Sequence, residues 1–148
     1  MKTKNSFWGI IGLSLIGALL FTSCQKEVIV EKTTKIVGTV KLKAGTLGDI
    51  SNAQVALYLS DNDWANYNPV RIADVSGTTS KISFSFTDVV PGNYLLDAWV
   101  DCDQTGSWTS GDIVGWYGSG ALGNEYLSPF MVAEGKTVTI NVEMIVIP

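Results

Sequence analysis

Short runs of alternating apolar and polar residues limit most strongly what this chain can fold into. In residues 81–87 the apolar side chains of Ile82, Phe84 and Phe86 alternate with Ser, Lys and Thr. Because successive side chains of a strand point to opposite faces, this run predicts a half-buried β-strand in an unambiguous register. No segment of the domain has an apolar spacing that favours a helix instead.

The same period of two recurs along the chain between clusters of Gly, Asn, Asp and Pro. It groups Val55 with Leu57 and Leu59, then Tyr94 with Leu96, Ala98 and Val100, and later Val138 with Ile140, Val142 and Met144. Segments 36–43, 70–75 and 127–133 add further candidate strands. The pattern predicts one all-β domain over residues 35–148, an antiparallel, immunoglobulin-like β-sandwich of about seven strands with long loops.

The composition excludes several kinds of chemistry. The 148 residues include no histidine and only two cysteines. The chain therefore has no Ser-His-Asp or Cys-His pair, no imidazole ligand and too few thiolates for a zinc cage. Any metal would be bound by oxygen, and we expect no enzymatic activity because no activating partner for a nucleophile or an acid is visible.

The N-terminal residues 1–23 have the three parts of a secretory signal: lysines, an apolar run from Phe7 to Phe21, and small polar residues. Residues 20–24, Leu-Phe-Thr-Ser-Cys, resemble the lipobox of bacterial lipoproteins, although Phe21 stands where Leu is usual. The resemblance implies cleavage before Cys24, its modification with palmitate and other acyl chains, and a lipidated tether over residues 24–34. The alternatives are an uncleaved anchor and an ordinary secreted protein with an unrelated cysteine.

Residues 25–27, Gln-Lys-Glu, bear on the location of such a lipoprotein. They lack the Asp that retains many lipoproteins in the inner membrane, so the resemblance implies the cell outer membrane. They also resemble a short tag for surface display, and a solvated tether is the alternative. Removal of the leader changes the formal net charge from −4 to −6, and no basic stripe remains. We therefore expect no binding to nucleic acid.

Residues 36–100 contain strand and turn signatures in a recognisable order. The signatures are Val37-Gly38-Thr39-Val40, residues 52–58, and residues 84–94 with the Pro91-Gly92 turn. The order of these signatures resembles the prealbumin-like, carboxypeptidase-regulatory-like β-sandwich family. Members of that family are usually accessory, adhesive or scaffold modules, which implies binding and not catalysis. The stretches 60–69 and 101–128 fall outside the shared pattern, so features particular to this protein are expected there.

The segment from Asp101 to Asp112 has oxygen side chains at positions one, three, five, nine and twelve and glycine at position six. It resembles the calcium loops of EF-hands and dockerins. By that resemblance calcium would be bound by five residues: Asp101, Asp103, Thr105, Ser107 through its carbonyl, and Asp112. Thr105 replaces the usual carboxylate or amide, and Asp112 is shorter than the usual glutamate. The alternative is a loop whose aspartates cap backbone amides.

Large aromatic rings are concentrated in the polar loops: Trp64, Tyr67, Trp108, Trp116 and Tyr117. Such rings stack on the apolar faces of sugars while Asp and Asn side chains bind hydroxyls, which predicts a carbohydrate-binding surface. The alternative is that the rings fold back and cover the end of the sandwich. Cys102, the only other cysteine, is expected to be a buried, inert thiol, and an intermolecular disulfide is the alternative.

Taken together, these patterns predict a lipid-anchored, non-catalytic binding or scaffold module of the cell envelope or cell surface. Calcium is its candidate stabilising cation, and a polysaccharide or an envelope protein is its candidate partner. The alternative function is a carbohydrate-binding accessory lipoprotein of a glycan-uptake system. A small hydrolase is the third hypothesis.

Overall fold

The computed structural model describes residues 33–148. The predicted leader 1–23, the lipidation site Cys24 and the tether up to residue 32 lie outside the described residues. Among the regular elements of the described part, all but one short helix are strands, which confirms the all-β class. Within it, no helix has the length and apolar character needed to cross a membrane.

The described chain contains eleven strands and one short helix. In order they are β1 Lys35–Leu42, β2 Gln54–Tyr58, α1 Asp61–Ala65, β3 Arg71–Ile72, β4 Asp74–Gly77, β5 Lys81–Thr87, β6 Gly92–Val100, β7 Ile113–Trp116, β8 Gly118–Ala121, β9 Asn124–Leu127, β10 Phe130–Val132 and β11 Thr137–Val146. The count exceeds the predicted seven for two reasons. Two predicted strands are each divided, one at Ala73 and one at Pro129, and the short strands β7 and β8 have too few alternating apolar residues to be recognised.

Nine strands form one large mixed sheet. Eight of them follow the order β3-β2-β6-β7-β11-β1-β5-β4, β10 pairs with β6 beside this path, and β8 and β9 form a separate hairpin. The first and last strands pair in parallel, with Lys35 opposite Thr137 and Leu42 opposite Met144. The prediction of purely antiparallel pairing is therefore wrong for β1 and β11, because alternation fixes the face of a side chain but not the direction of its neighbour.

The main hydrophobic core lies on the inner face of the sheet. Ile82, Phe84 and Phe86 of β5 are buried as predicted, and they share this core with the inward residues of β1, β2, β6 and β11. Leu59 was predicted to continue the pattern of β2 but lies beyond its end and is exposed. Gly38 of β1 fits closely between β11 and Phe84, and a Cβ there would collide with the Ile140 carbonyl.

The outer face of β6 is also covered, which the sequence did not predict. A second apolar cluster there consists of Ala56, Tyr58, Leu95 and Leu127, with Trp64 and Trp116 packed against it. Trp64 comes from α1, a helix in a segment that was predicted as a loop. The helix begins because the Ser60 hydroxyl caps it by accepting a hydrogen bond from the Asp63 amide, 3.1 Å away.

Candidate functional site

The acidic loop, residues 101–112, connects β6 to β7. One carboxylate oxygen from each of Asp101, Asp103 and Asp112 lies within 4.8 Å of the others. Asp112 is buried, Asp101 is half-buried and Asp103 is exposed. The structure thus brings together three of the predicted ligands, and this acidic triad could hold a metal ion.

Asp112 also ties the loop to the sheet through its own hydrogen bonds. Its Oδ1 accepts from the Cys102 amide at 2.8 Å, and its Oδ2 accepts from the Thr109 amide at 3.1 Å and the Trp99 indole at 3.2 Å. Three donors satisfy most of the hydrogen-bonding capacity of this buried carboxylate. Asp112 therefore has a structural role whether or not a cation is bound.

Asp101 and Asp103 accept hydrogen bonds from within the loop. Asp101 accepts hydrogen bonds from the amides of Thr105 and Gly106. Asp103 accepts hydrogen bonds from the hydroxyls of Thr105 and Thr109, both at 2.8 Å. The bonds from Thr105 and Thr109 hold the pKa of Asp103 below its usual value. Aspartates that cap local backbone amides were the alternative to calcium, and the structure contains such capping.

The loop still has oxygen lone pairs for a hard cation. Each carboxylate offers about four lone-pair sites, and the triad accepts eight protein hydrogen bonds. The Ser107 carbonyl, which lies 3.1 Å from the Thr105 hydroxyl, adds a further oxygen. Since calcium takes about six to eight oxygens, these residues fit as part of a coordination shell that water would complete.

Asp97 is a buried acid that does not belong to the acidic loop. It lies on the outer face of β6 and accepts hydrogen bonds from the Trp64 indole at 2.9 Å and from the Tyr58 hydroxyl at 3.2 Å. Burial raises the pKa of Asp97 to about 7, while these hydrogen bonds lower it. An acid inside the apolar run 94–100 was the sequence signal that could have identified this residue.

The predicted aromatic residues do not form one exposed platform. The ring of Trp108 contacts Trp64 at a centroid distance of 5.7 Å and Trp116 at 6.2 Å, and the Tyr67 ring packs on Trp99 at 5.4 Å. The three predicted tryptophans are half-buried and only Tyr67 is exposed. These rings fold back onto the protein, as the alternative to sugar binding predicted, but they cover the outer face of β6 and not the end of the domain.

Tyr117 is separate from the other predicted rings, because it packs edge-on against Phe130 at the margin of the main core. The thiol of Cys102 is exposed, so the expectation of a buried cysteine is wrong. The backbone amide of Cys102 donates to the Asp112 carboxylate, while its side chain is exposed.

A groove of about 520 Å³ lies between β11 and the β8–β9 hairpin, and we call it the hairpin groove. It is lined by Lys43, Trp116, Tyr117, Gly118, Gly120, Ser128, Asn141, Glu143 and Ile145. Sequence reasoning found the two aromatic residues but missed the strand residues, which carry no motif.

The polar side chains of the hairpin groove are held in place by β1. The Asn141 side-chain oxygen accepts from the Thr39 hydroxyl at 2.8 Å, which leaves the amide nitrogen to donate. Glu143 pairs with Lys41 at 2.8 Å, and this pair lowers the pKa of Glu143. The groove therefore offers hydrogen-bond donors and acceptors next to an aromatic ring.

Comparisons of the chain with protein-family models, with curated proteins and with solved structures found no match.

Proposed function

We propose that the chain is a lipid-anchored binding or scaffold module of the cell envelope that catalyses no reaction. The direction in which the strands run from the tether is the observation that carries this proposal. The tether joins the domain at Thr34, whose carbonyl accepts from the Val89 amide at 3.1 Å. From that end β6 runs to the acidic loop over nine residues, about 26 Å of strand. An anchor at Cys24 would thus be joined to the end of the domain opposite to the acidic loop.

The proposed fold is a β-sandwich of the prealbumin-like, carboxypeptidase-regulatory-like type. It is supported by the sharing of one core between the two halves of the sheet. Val55, Leu57 and Leu96 of the β2–β6 half pack in the same cluster as Ile82 and Phe86 of β5. Two halves of a sheet that bury one common core between them form the two layers of such a domain.

The non-catalytic part of the proposal is supported by the surroundings of the acids. Asp97 and Asp112 are enclosed by hydrogen-bond donors from the protein, and neither lines the hairpin groove. The groove is lined by one carboxylate, Glu143, which is paired with Lys41. Glycoside hydrolysis usually requires two carboxyl groups that face each other across the substrate.

Calcium bound at the acidic loop is the proposed stabilising cation. Its support is the convergence of Asp101, Asp103 and Asp112 next to the Ser107 carbonyl. With so many oxygens already hydrogen-bonded, binding should be weak, with a dissociation constant of about 10⁻⁴ to 10⁻³ M, as in extracellular modules. Its role would be to hold the loop between β6 and β7 in one conformation.

A second candidate function, carbohydrate binding as an accessory of a glycan-uptake system, is favoured by the hairpin groove. Trp116 supplies an aromatic face, and Asn141, Glu143 and Lys43 supply donors and acceptors for hydroxyl groups. Sugars are bound by this combination of an apolar ring and a few convergent polar groups. The predicted ligand surface would thus involve Trp116 and Tyr117, while Trp108 packs against Trp116 and Trp64 packs against Trp108.

Acylation of Cys24 tests the anchor. Cells fed with labelled palmitate should incorporate label into the wild type and into Cys102→Ser, the matched control, and both should sediment with outer membranes. Cys24→Ser should lose the label and leave the membrane fraction. Label retained by Cys24→Ser would contradict the proposal. Protease treatment of intact cells would then distinguish surface display from a periplasmic location.

Binding of the purified chain to an array of polysaccharides tests the second function. Trp116→Ala and Asn141→Ala should each abolish a signal given by the wild type. Tyr126→Ala is the matched control, because Tyr126 is an exposed aromatic residue of the same hairpin that does not line the groove. A signal that survives both groove variants, or the absence of any wild-type signal, would contradict carbohydrate binding at this site.

A further inference from the structure

Exposed apolar residues are gathered in a patch that the proposed function does not use. Leu59 is 59% exposed, Val70 42% and Val90 72%. They belong to one shallow groove of about 340 Å³, which we call the tether-end patch, lined by Leu59, Val70, Arg71, Val89, Val90 and Tyr94. Single exposed apolar residues are common on proteins, whereas a contiguous patch marks an interaction surface.

The patch lies where the tether joins the domain. The Val89 amide donates to the carbonyl of Thr34, the second described residue, and Val90 follows directly. Leu59 reaches the same end of the sheet, because it follows Tyr58, which pairs with Leu95 near the start of β6. The patch therefore lies at the end of the domain where the chain enters it at Thr34.

We infer that the tether-end patch rests on the interfacial layer of the bilayer that holds the acyl chains of Cys24. This inference depends on the proposed lipid anchor. Ten residues lead from Cys24 to Thr34, a reach of at most about 35 Å. Attachment over so short a reach keeps the patch at an effective concentration of about millimolar near the membrane. Docking then needs little intrinsic affinity.

Charge around the patch indicates what kind of membrane surface it suits. Arg71 lines the patch and donates to the Thr87 carbonyl at 3.1 Å, while Asp88 follows that residue in the chain. The formal charges of Arg71 and Asp88 are opposite and sum to zero, so we expect burial of apolar side chains to drive the docking. Apolar faces of this kind insert about 5 to 10 Å into the headgroup boundary. Phosphatidylcholine without anionic lipid should therefore be sufficient.

Quenching by brominated lipid tests the orientation of the acylated full chain. In a Cys102→Ser background, which removes the exposed native thiol, Val90→Cys is labelled with bimane and the chain is reconstituted in phosphatidylcholine vesicles with brominated acyl chains. The matched control carries the label at Leu47→Cys. Leu47 is 89% exposed and follows β1 at the opposite end of the sheet. We expect quenching at position 90 and none at position 47.

A second variant tests the contact itself. Val70→Asp should abolish quenching at position 90 while the chain still floats with the vesicles, because the acyl chains hold it there. If the protein floats with the vesicles, equal quenching at positions 90 and 47, or no quenching at either position, would overturn the docking and leave the anchor intact. A bimane at position 90 that is already shielded from solvent without vesicles would show that a second copy or the chain itself covers the patch. That result would also overturn the docking. Protein that does not float would remove both the anchor and the docking.

Discussion

Replacement of the buried Asp97 by asparagine is expected to remove a pH dependence of stability. In the folded protein, burial raises the pKa of Asp97 from 3.8 to about 7 against the opposing effect of the Trp64 and Tyr58 hydrogen bonds. In the unfolded chain the carboxyl titrates near its ordinary value. The folded state therefore binds the Asp97 proton more tightly than the unfolded state does.

The sign and the size of the effect follow from this difference. Stability from the bound proton is fully present below the unfolded pKa and is lost as pH rises through the folded pKa. One pKa unit corresponds to about 1.4 kcal/mol, so the interval from 3.8 to about 7 amounts to about 4 kcal/mol. Between pH 5 and pH 8 the free energy of unfolding should fall by about 3 kcal/mol.

Urea unfolding followed by tryptophan fluorescence at pH 5, 6, 7 and 8 measures the effect. Asp97→Asn keeps an oxygen that can accept from the Trp64 indole but cannot ionise, so its profile should be nearly flat over this range. Asp74→Asn, which removes an exposed carboxyl on β4, should keep the wild-type profile. The reasoning is refuted if wild type and Asp97→Asn have parallel profiles, or if the wild type gains stability between pH 5 and pH 8.

Calcium at about millimolar concentration should raise the melting temperature of the wild type above its value in chelator, and Asp103→Asn should reduce that shift. Identical wild-type melting curves with calcium and with chelator would rule out a cation at the acidic loop. Gly38→Ala should cost about 3 kcal/mol in urea unfolding because its Cβ would collide with the Ile140 carbonyl. Gly92→Ala, whose Cβ makes only ordinary contacts, is the control, and equal costs would contradict the close approach. Although the Cys102 side chain is exposed, partial desolvation of its sulfur and then the carboxylates of Asp112, Asp101 and Asp103 raise the pKa of the thiol. Asp103→Asn should therefore speed its alkylation at pH 8, and an unchanged rate would count against the charge effect.

The fold could be predicted best where one face of a strand meets the core and the other meets water. In β5 the buried positions of Ile82, Phe84 and Phe86 are those that the alternation predicted. In β6 the pattern identified Leu96 but not Leu95, because α1 and the hairpin cover the second face of this strand. Burial on both faces removes the alternation on which the prediction depends.

The candidate site could be predicted only as far as its residues are close in the sequence. The convergence of Asp101, Asp103 and Asp112 followed from the spacing within one loop. The hairpin groove could not be predicted, because Asn141 lies on a distant strand and β7 to β11 pairing brings it near Trp116. Separate strands contribute to a site through topology, and that information is absent from local patterns.

The parallel pairing of β1 with β11 makes completion of the fold depend on the whole chain. Lys35 and Thr137 are the first partners in this register, and β1 lies between β11 and β5 in the sheet. Contacts so distant in sequence form late, since the loop-closure entropy must be overcome first. A chain emerging from N- to C-terminus would thus leave β1 without this partner until β11 has emerged. Deletion of β11 should therefore prevent native folding altogether and not merely shorten the domain.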